Sequence, residues 1–298
     1  MTSRTATIHA EKGEGAGPRT TAVHPAEGLG RTFAANLVQW LGALLWSIRR
    51  GRARRPAGPR PAVLLLWSAL VAAVVGAAMW RLDPWAVTLG ATLPPVFRTA
   101  GALVSDFGKG DWVMVPFAMG LAVIAAVASR RLGQMTYGVL LALAARCGFV
   151  VLAIAIPGLT ATVIKRLIGR ARPGQLVDAT HQFVPFSWNP ALASFPSGHT
   201  TTAFAAAVAL ATLFPRARVA FFAYAAVMAL SRVVVEAHHP SDVIAGAAVG
   251  IAGALLVRQW FASRGLGFCV SPDGQVKAAP EPSRARLKRT MRAALSIR

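Results

Sequence analysis

Three short polar stretches interrupt the apolar C-terminal half of this 298-residue chain: Lys165–Pro173 (KRLIGRARP), Pro196–His199 (PSGH) and Ser231–Asp242 (SRVVVEAHHPSD). Together they hold cations, two well-placed histidines and one aspartate, separated by long uncharged runs. Charged groups beside a hydrocarbon core are expensive, so such islands mark a functional site by default. Cations that grip an anion, an imidazole that attacks and a carboxylate that orients it are the equipment for holding a phosphate and cleaving its ester bond.

His238 and Asp242 stand four residues apart across a helix start opened by Pro240 and Ser241, since proline is tolerated at the first helical position. The carboxylate can hold one imidazole nitrogen and leave the other as base or nucleophile. The plainer reading is an interfacial histidine and a helix-start carboxylate favoured by the dipole. His239 reads as structural. Ser197, Gly198 and His199 also open a helix, where free backbone N–H groups form an anion site and glycine permits close approach. His199 can there protonate a leaving oxygen; simple helix initiation, capped by Ser197 or Thr200, is the alternative. Lys165 and Arg172, seven apart and joined by Arg166 and Arg170, suit phosphate oxygens. Snorkelling at a helix end would account for them as well. Arg232 ends an apolar run, where a partner anion or water would justify its guanidinium.

The elements that must position these groups are membrane helices. The chain is 55% hydrophobic and 14% charged, with mean hydropathy +0.51, too apolar for a soluble domain. Uncharged runs at Ala62–Trp80, Trp112–Ser129, Cys147–Ile164, Thr200–Pro215, Val219–Ser231 and Val243–Val257 predict an all-α, six-transmembrane-helix bundle over residues 61–261. The net charge of +21 gathers in Arg49–Arg60, Arg130–Arg131, Arg216–Arg218 and Arg284–Arg292. If the first span runs outward, all four clusters are cytoplasmic, as the positive-inside rule requires. That distribution argues for topology and contact with membrane lipids, not for nucleic acid. It also places all three islands together on one non-cytoplasmic face, with both termini cytoplasmic.

Residues 1–32 read as a disordered tail, and no signal-peptide pattern is evident. Residues 33–60 read as an interfacial amphipathic helix, from Phe33, Leu37, Trp40, Leu41, Leu44, Leu45 and Ile48, followed by a basic cytoplasmic segment; a further span is the alternative. Residues 262–298 read as a basic cytoplasmic tail, in which Leu287, Met291 and Leu295 suggest a surface helix. Cys147 and Cys269 imply no disulfide.

In order and spacing, K-x6-R-P (Lys165, Arg172, Pro173), P-S-G-H (Pro196–His199) and S-R-x5-H-x3-D (Ser231, Arg232, His238, Asp242) resemble the signature of the phosphatidic acid phosphatase type 2 superfamily. That family includes vanadium haloperoxidases and bacterial membrane lipid phosphatases. The resemblance covers about Ala62–Phe261, and Ser105–Gly110 looks like the family's outer loop after the first span. It implies a phosphatase needing no metal or other cofactor. His238 would form a phosphohistidine, Asp242 would orient it, and His199 would protonate the leaving alcohol and then activate water. Lys165, Arg172, Ser197, Gly198 and Arg232 would hold the phosphoryl oxygens. The expected substrate is a lipid phosphate or pyrophosphate: phosphatidate, phosphatidylglycerol phosphate, undecaprenyl diphosphate or a lipid A phosphate. A non-catalytic anion-binding or transport protein is the other class, and a vanadate-dependent haloperoxidase a variant of the first. Glu236 stands where family members often carry a small residue, which bears on local electrostatics. Residues 174–195, with Asp178, His181 and Trp188, are the expected headgroup-selecting loop.

Overall fold

The computed structural model describes residues 60–127, 133–174, 182–279 and 283–295, with isolated positions between 34 and 58. The expected N-terminal tail, most of the expected amphipathic helix, Arg130, Arg131, Asp178 and His181 lie outside the described residues.

The chain is an all-α, multi-pass membrane protein. Helices α1 (Pro61–Thr92), α2 (Pro95–Phe107), α3 (Asp111–Val127), α4 (Gln134–Ile168), α5 (Gly198–Leu213), α6 (Arg218–Val234) and α7 (Pro240–Ser263) precede a hairpin, β1 (Phe268–Val270) and β2 (Val276–Ala278), and α8 (Arg284–Leu295). Among the described residues, five stretches are long and apolar enough to cross a bilayer: Pro61–Thr92, Pro95–Val127, Gln134–Ile168, Pro215–Val234 and Pro240–Ser263. The run expected as a fourth span forms α5, only 16 residues long and shorter than the ~20 a bilayer asks of a helix. It packs against α4, α6 and α7, and Ala205 and Ala209 have no exposed surface. The second expected span begins earlier than its uncharged run, because α2 precedes α3. Ser105–Phe107 are therefore the last turn of α2, and only Gly108–Gly110 form the expected loop.

Close helix contact explains the core. Lipid tails are as apolar as leucine, so membrane helices associate where small side chains let backbones approach. A Cβ on Gly246 or Gly250 of α7 would meet the carbonyl oxygens of Ser197 and Thr201 at 2.6 and 2.3 Å. Those two glycines set α7 hard against the start of α5. In α4, Phe149, Val150, Ala153, Ile154, Pro157 and Ala161 recur at helical spacing and are buried. By contrast, Leu64, Leu65, Leu66 and Trp67 of α1 are exposed, as expected of a helix whose outer surface meets lipid. Phe149, Phe261 and Phe268 stack edge to face, at 4.8 Å between Phe149 and Phe268, and tie the hairpin to the bundle. Arg146 Nη2 donates to the Ala279 carbonyl at 2.7 Å, so the segment after Ser263 folds back on the helices. The surface helix expected from Leu287 and Met291 is α8.

Candidate active site

Gly169 decides how the first island is laid out. It ends α4 in the left-handed conformation (φ 63°, ψ 42°), and its N–H donates to the Lys165 carbonyl at 3.0 Å. A Cβ there would fall 1.7 Å from the Val184 oxygen, so glycine alone fits. Residues 169–172 are then gripped on both sides: Val184 N–H to Gly169 O at 2.8 Å, Ala171 N–H to Gln182 O at 3.0 Å, Ser194 N–H to Arg170 O at 3.0 Å and Arg172 N–H to Ala191 O at 2.9 Å. Lys165 stays on the helix, with its Nζ 3.6 Å from where a Gly198 Cβ would stand. The ammonium therefore lies over the N-terminus of α5.

The second and third islands are tied by the Ser197 N–H, which donates to the Asp242 carbonyl at 2.9 Å. Ala237 and His238 return their N–H groups to the Arg232 carbonyl at 3.1 and 3.2 Å, folding the third island onto the end of α6. Asp242 is fully buried and bonded on both oxygens. Oδ1 accepts from Arg170 Nη1 at 2.6 Å; Oδ2 accepts from Ser194 Oγ at 2.5 Å and from the His239 N–H at 2.9 Å. Oδ2 also faces His238 Nδ1 at 3.7 Å, an electrostatic contact longer than a formed hydrogen bond. Ser194 Oγ lies 3.5 Å from the same nitrogen and bridges the pair.

The electrostatics suit an anion. Lys165 feels the charges of Arg172, Arg232 and Asp242, and His199 those of Arg232, His238, Lys165 and Lys109. Arg232 donates to Ser105 Oγ. The Nε atoms of Arg172 and Arg232 are buried with no hydrogen-bond partner among the described residues, and a buried donor left so calls for an acceptor. Burial pushes the His238 imidazole down to about 4, against the pull of Asp242. The ring is neutral at neutral pH, with its lone pair free. An open groove of about 480 Å³ runs between α3 and α4 to Gly198 and His199, lined by Met114, Ile154 and Leu159 among others.

The structure brings Lys165, Arg172, Ser197, Gly198, His199, Arg232, His238 and Asp242 to one end of the bundle. The remaining cations of the first island are otherwise engaged. Arg166 donates to the Trp188 carbonyl at 2.9 Å and lies 5.3 Å over its ring; Arg170 is buried between carboxylates. Glu236 pairs with Arg98 at 3.4 Å from a left-handed backbone position, φ 53°. Sequence reasoning gave no role at the site to Asp83, Ser105, Ser194 or Ser241. Asp83 was visible as the one acid in the apolar stretch Pro61–Thr92; the serines carry no signal in their type.

The PAP2 superfamily model matches residues 146–266. The chain is 37% identical over 217 residues to a lipid A 1-phosphatase of Rhizobium johnstonii, covering 70% of this chain and 87% of that protein. It is 36% identical over 217 residues to the Rhizobium etli lipid A 1-phosphatase, covering 70% and 91%. Among solved structures it is similar to Aquifex aeolicus LpxE (TM-score 0.40, 21% identity, 58% of this chain and 92% of that one). It is also similar to a transmembrane PAP2-type phosphatidylglycerolphosphate phosphatase from Bacillus subtilis (TM-score 0.44, 21% identity, 67% and 94%).

Proposed function

This chain belongs to the PAP2 superfamily and is a membrane-embedded phosphatase, and we propose that it removes the phosphate of a lipid A-type 1-phosphate through a phosphohistidine on His238, without a metal, at the periplasmic face of an inner membrane. The observation that carries the mechanism is Asp242, bonded on both oxygens and turned toward Nδ1 of a buried, neutral His238. The Rhizobium relatives support the substrate. Among the described residues, Arg216 and Arg218 stand at the opening of α6, the end opposite Arg232, which supports the orientation.

In this reading the bound phosphate's negative charge offsets the burial and cations that otherwise keep His199 unprotonated, so His199 takes up a proton as substrate binds. Nε2 of His238 then attacks phosphorus, the bond from phosphorus to the lipid oxygen breaks, and His199 gives that oxygen its proton. His199 then takes a proton from water as the water oxygen attacks phosphorus and the P–N bond breaks, releasing phosphate and restoring both rings. Lys165, Arg172 and Arg232, with the N–H groups opening α5, neutralise the charge gathered on the phosphoryl oxygens, which is usually the largest catalytic contribution. That cationic set supplies what a metal would otherwise provide. The groove between α3 and α4 gives an acyl chain a path to His199.

The test is phosphate release by purified protein in detergent from lipid A-type phosphate, phosphatidate, phosphatidylglycerol phosphate and undecaprenyl diphosphate. The glycolipid should turn over fastest, chelators should leave the rate unchanged, and vanadate should inhibit. A fully active His238→Ala variant, or loss of activity on chelation, overturns the mechanism. Faster turnover of another lipid overturns the substrate assignment.

A further inference from the structure

Asp83 belongs to α1, far from the matched segment 146–266 in sequence, and has no exposed surface. A carboxylate inside an apolar helix is costly unless it is paired and fully hydrogen-bonded. Its Oδ2 accepts from Arg170 Nη2 at 2.7 Å and from Ser241 Oγ at 2.5 Å, and its Oδ1 accepts from the Ser241 N–H at 2.9 Å. Arg170 Nη1 in turn donates to Ser241 Oγ at 2.7 Å and to Asp242 Oδ1 at 2.6 Å. One buried guanidinium thus stands between two buried carboxylates, and the second carboxylate faces His238.

We propose that Asp83 is a positioning residue for the reaction, fixing and electrically tuning the His238–Asp242 pair through Arg170 and Ser241. The proposal rests on His238 being the nucleophile. The geometric part follows from the bonds: Asp83 holds both the backbone and the hydroxyl of Ser241, the residue before Asp242, and aims the guanidinium that pins Asp242 Oδ1. That leaves Oδ2 turned to the imidazole.

The electrical part follows from charge. Alone with Asp242, Arg170 would neutralise the carboxylate that must stabilise the positive charge growing on the ring during attack. Asp83 occupies the other half of the guanidinium, so the trio keeps one net negative charge beside the ring. The other charged groups near His238, Lys165 and Arg172, are positive, so this residual negative charge matters more.

The test compares wild type with Asp83→Asn, Asp83→Glu, Asp242→Asn and the double variant Asp83→Asn with Asp242→Asn, as full-length protein in detergent, with competent sites counted by vanadate binding. Asp83→Asn should lower kcat per competent site by about ten- to a hundredfold, the scale of groups that orient reacting ones from behind, while KM changes less than about twofold. Asp83→Glu, which keeps the charge, should retain more turnover than Asp83→Asn. In the Asp242→Asn background, adding Asp83→Asn should cost less than about twofold, because its route to the imidazole is already cut. Fewer competent sites at unchanged kcat per site would reveal a purely structural brace and overturn the proposal. So would full additivity in the double variant, or an Asp83→Glu protein slower than Asp83→Asn. An active His238→Ala control would instead overturn the underlying mechanism.

Discussion

Ser194 donates to Asp242 Oδ2 at 2.5 Å while its oxygen stays 3.5 Å from His238 Nδ1. The hydroxyl sits between the two groups it serves, and it is fully buried. It arrives there because the Ser194 N–H is fixed to the Arg170 carbonyl, so the loop before α5 is registered against the chain leaving α4. A hydrogen bond to a charged group contributes about 1.5–3 kcal/mol. Ser194→Ala should therefore lower kcat by about tenfold or more with little change in KM, measured on the preferred lipid phosphate. An unchanged kcat would show that Asp242 needs no help from this side.

His199 and His238 should fail differently. In the proposed mechanism, losing His238 removes the attacking atom, so no phosphorylated protein should form. Losing His199 would, in the same mechanism, impair protonation of the leaving oxygen and activation of water, a deficit of about 10²–10⁴-fold. With substrate labelled at phosphorus, His199→Ala should hold acid-labile label on the protein longer than wild type. His238→Ala should hold none, and labelled His238→Ala would disprove the assignment.

The pH response follows from burial. The His238 pKa of about 4 lies below the ~6.5 of free imidazole, and the form that attacks in the proposed mechanism is the neutral one. The acid limb of kcat/KM should then fall near pH 4, not between 6 and 7. The same depression acts on stability: the folded protein resists protonating this ring, so the stabilisation is complete above about 6.5 and drains away as pH falls toward 4. A midpoint of 6.5 in the kcat/KM profile would mean the ring is far better solvated than its 2% exposure indicates.

Packing sets its own limit. A methyl on Gly250 would meet the Thr201 carbonyl oxygen at 2.3 Å, and backbone cannot step aside as a flexible side chain can. Gly250→Ala should cost about 1–3 kcal/mol and push α7 away from α5, stretching the Ser197–Asp242 contact. Thermal denaturation in detergent should show the loss, with activity falling more than the folded fraction does. An equally stable and active variant would mean the two helices slide freely.

The polar islands were legible because intramembrane charge is rare and because Lys165, Arg172, His199, Arg232, His238 and Asp242 have distinctive chemistry. The helical class was legible from long uncharged runs. Helix ends were less so: α1 continues past Arg81 and Asp83 because the acid is neutralised in the interior, which no hydropathy count shows. Asp83 could have been suspected as an acid in apolar sequence, but its partner, 87 positions away, follows only from folding. Ser105, Ser194 and Ser241 were not legible, because a serine's role is set wholly by what lies within reach. Arg166 and Arg170 looked equivalent along the chain, whereas Arg172 stood out by its place before Pro173; the turn at Gly169 separates the first two.

That turn divides labour within a few residues. Had α4 run on for another turn, Arg170 would have continued along the helix instead of turning back into the protein. The left-handed stop lets Lys165 reach over the start of α5 while Arg170, just beyond the stop, becomes a girder behind the His238–Asp242 pair. A lesion at this hinge would silence the enzyme with every reacting group still encoded.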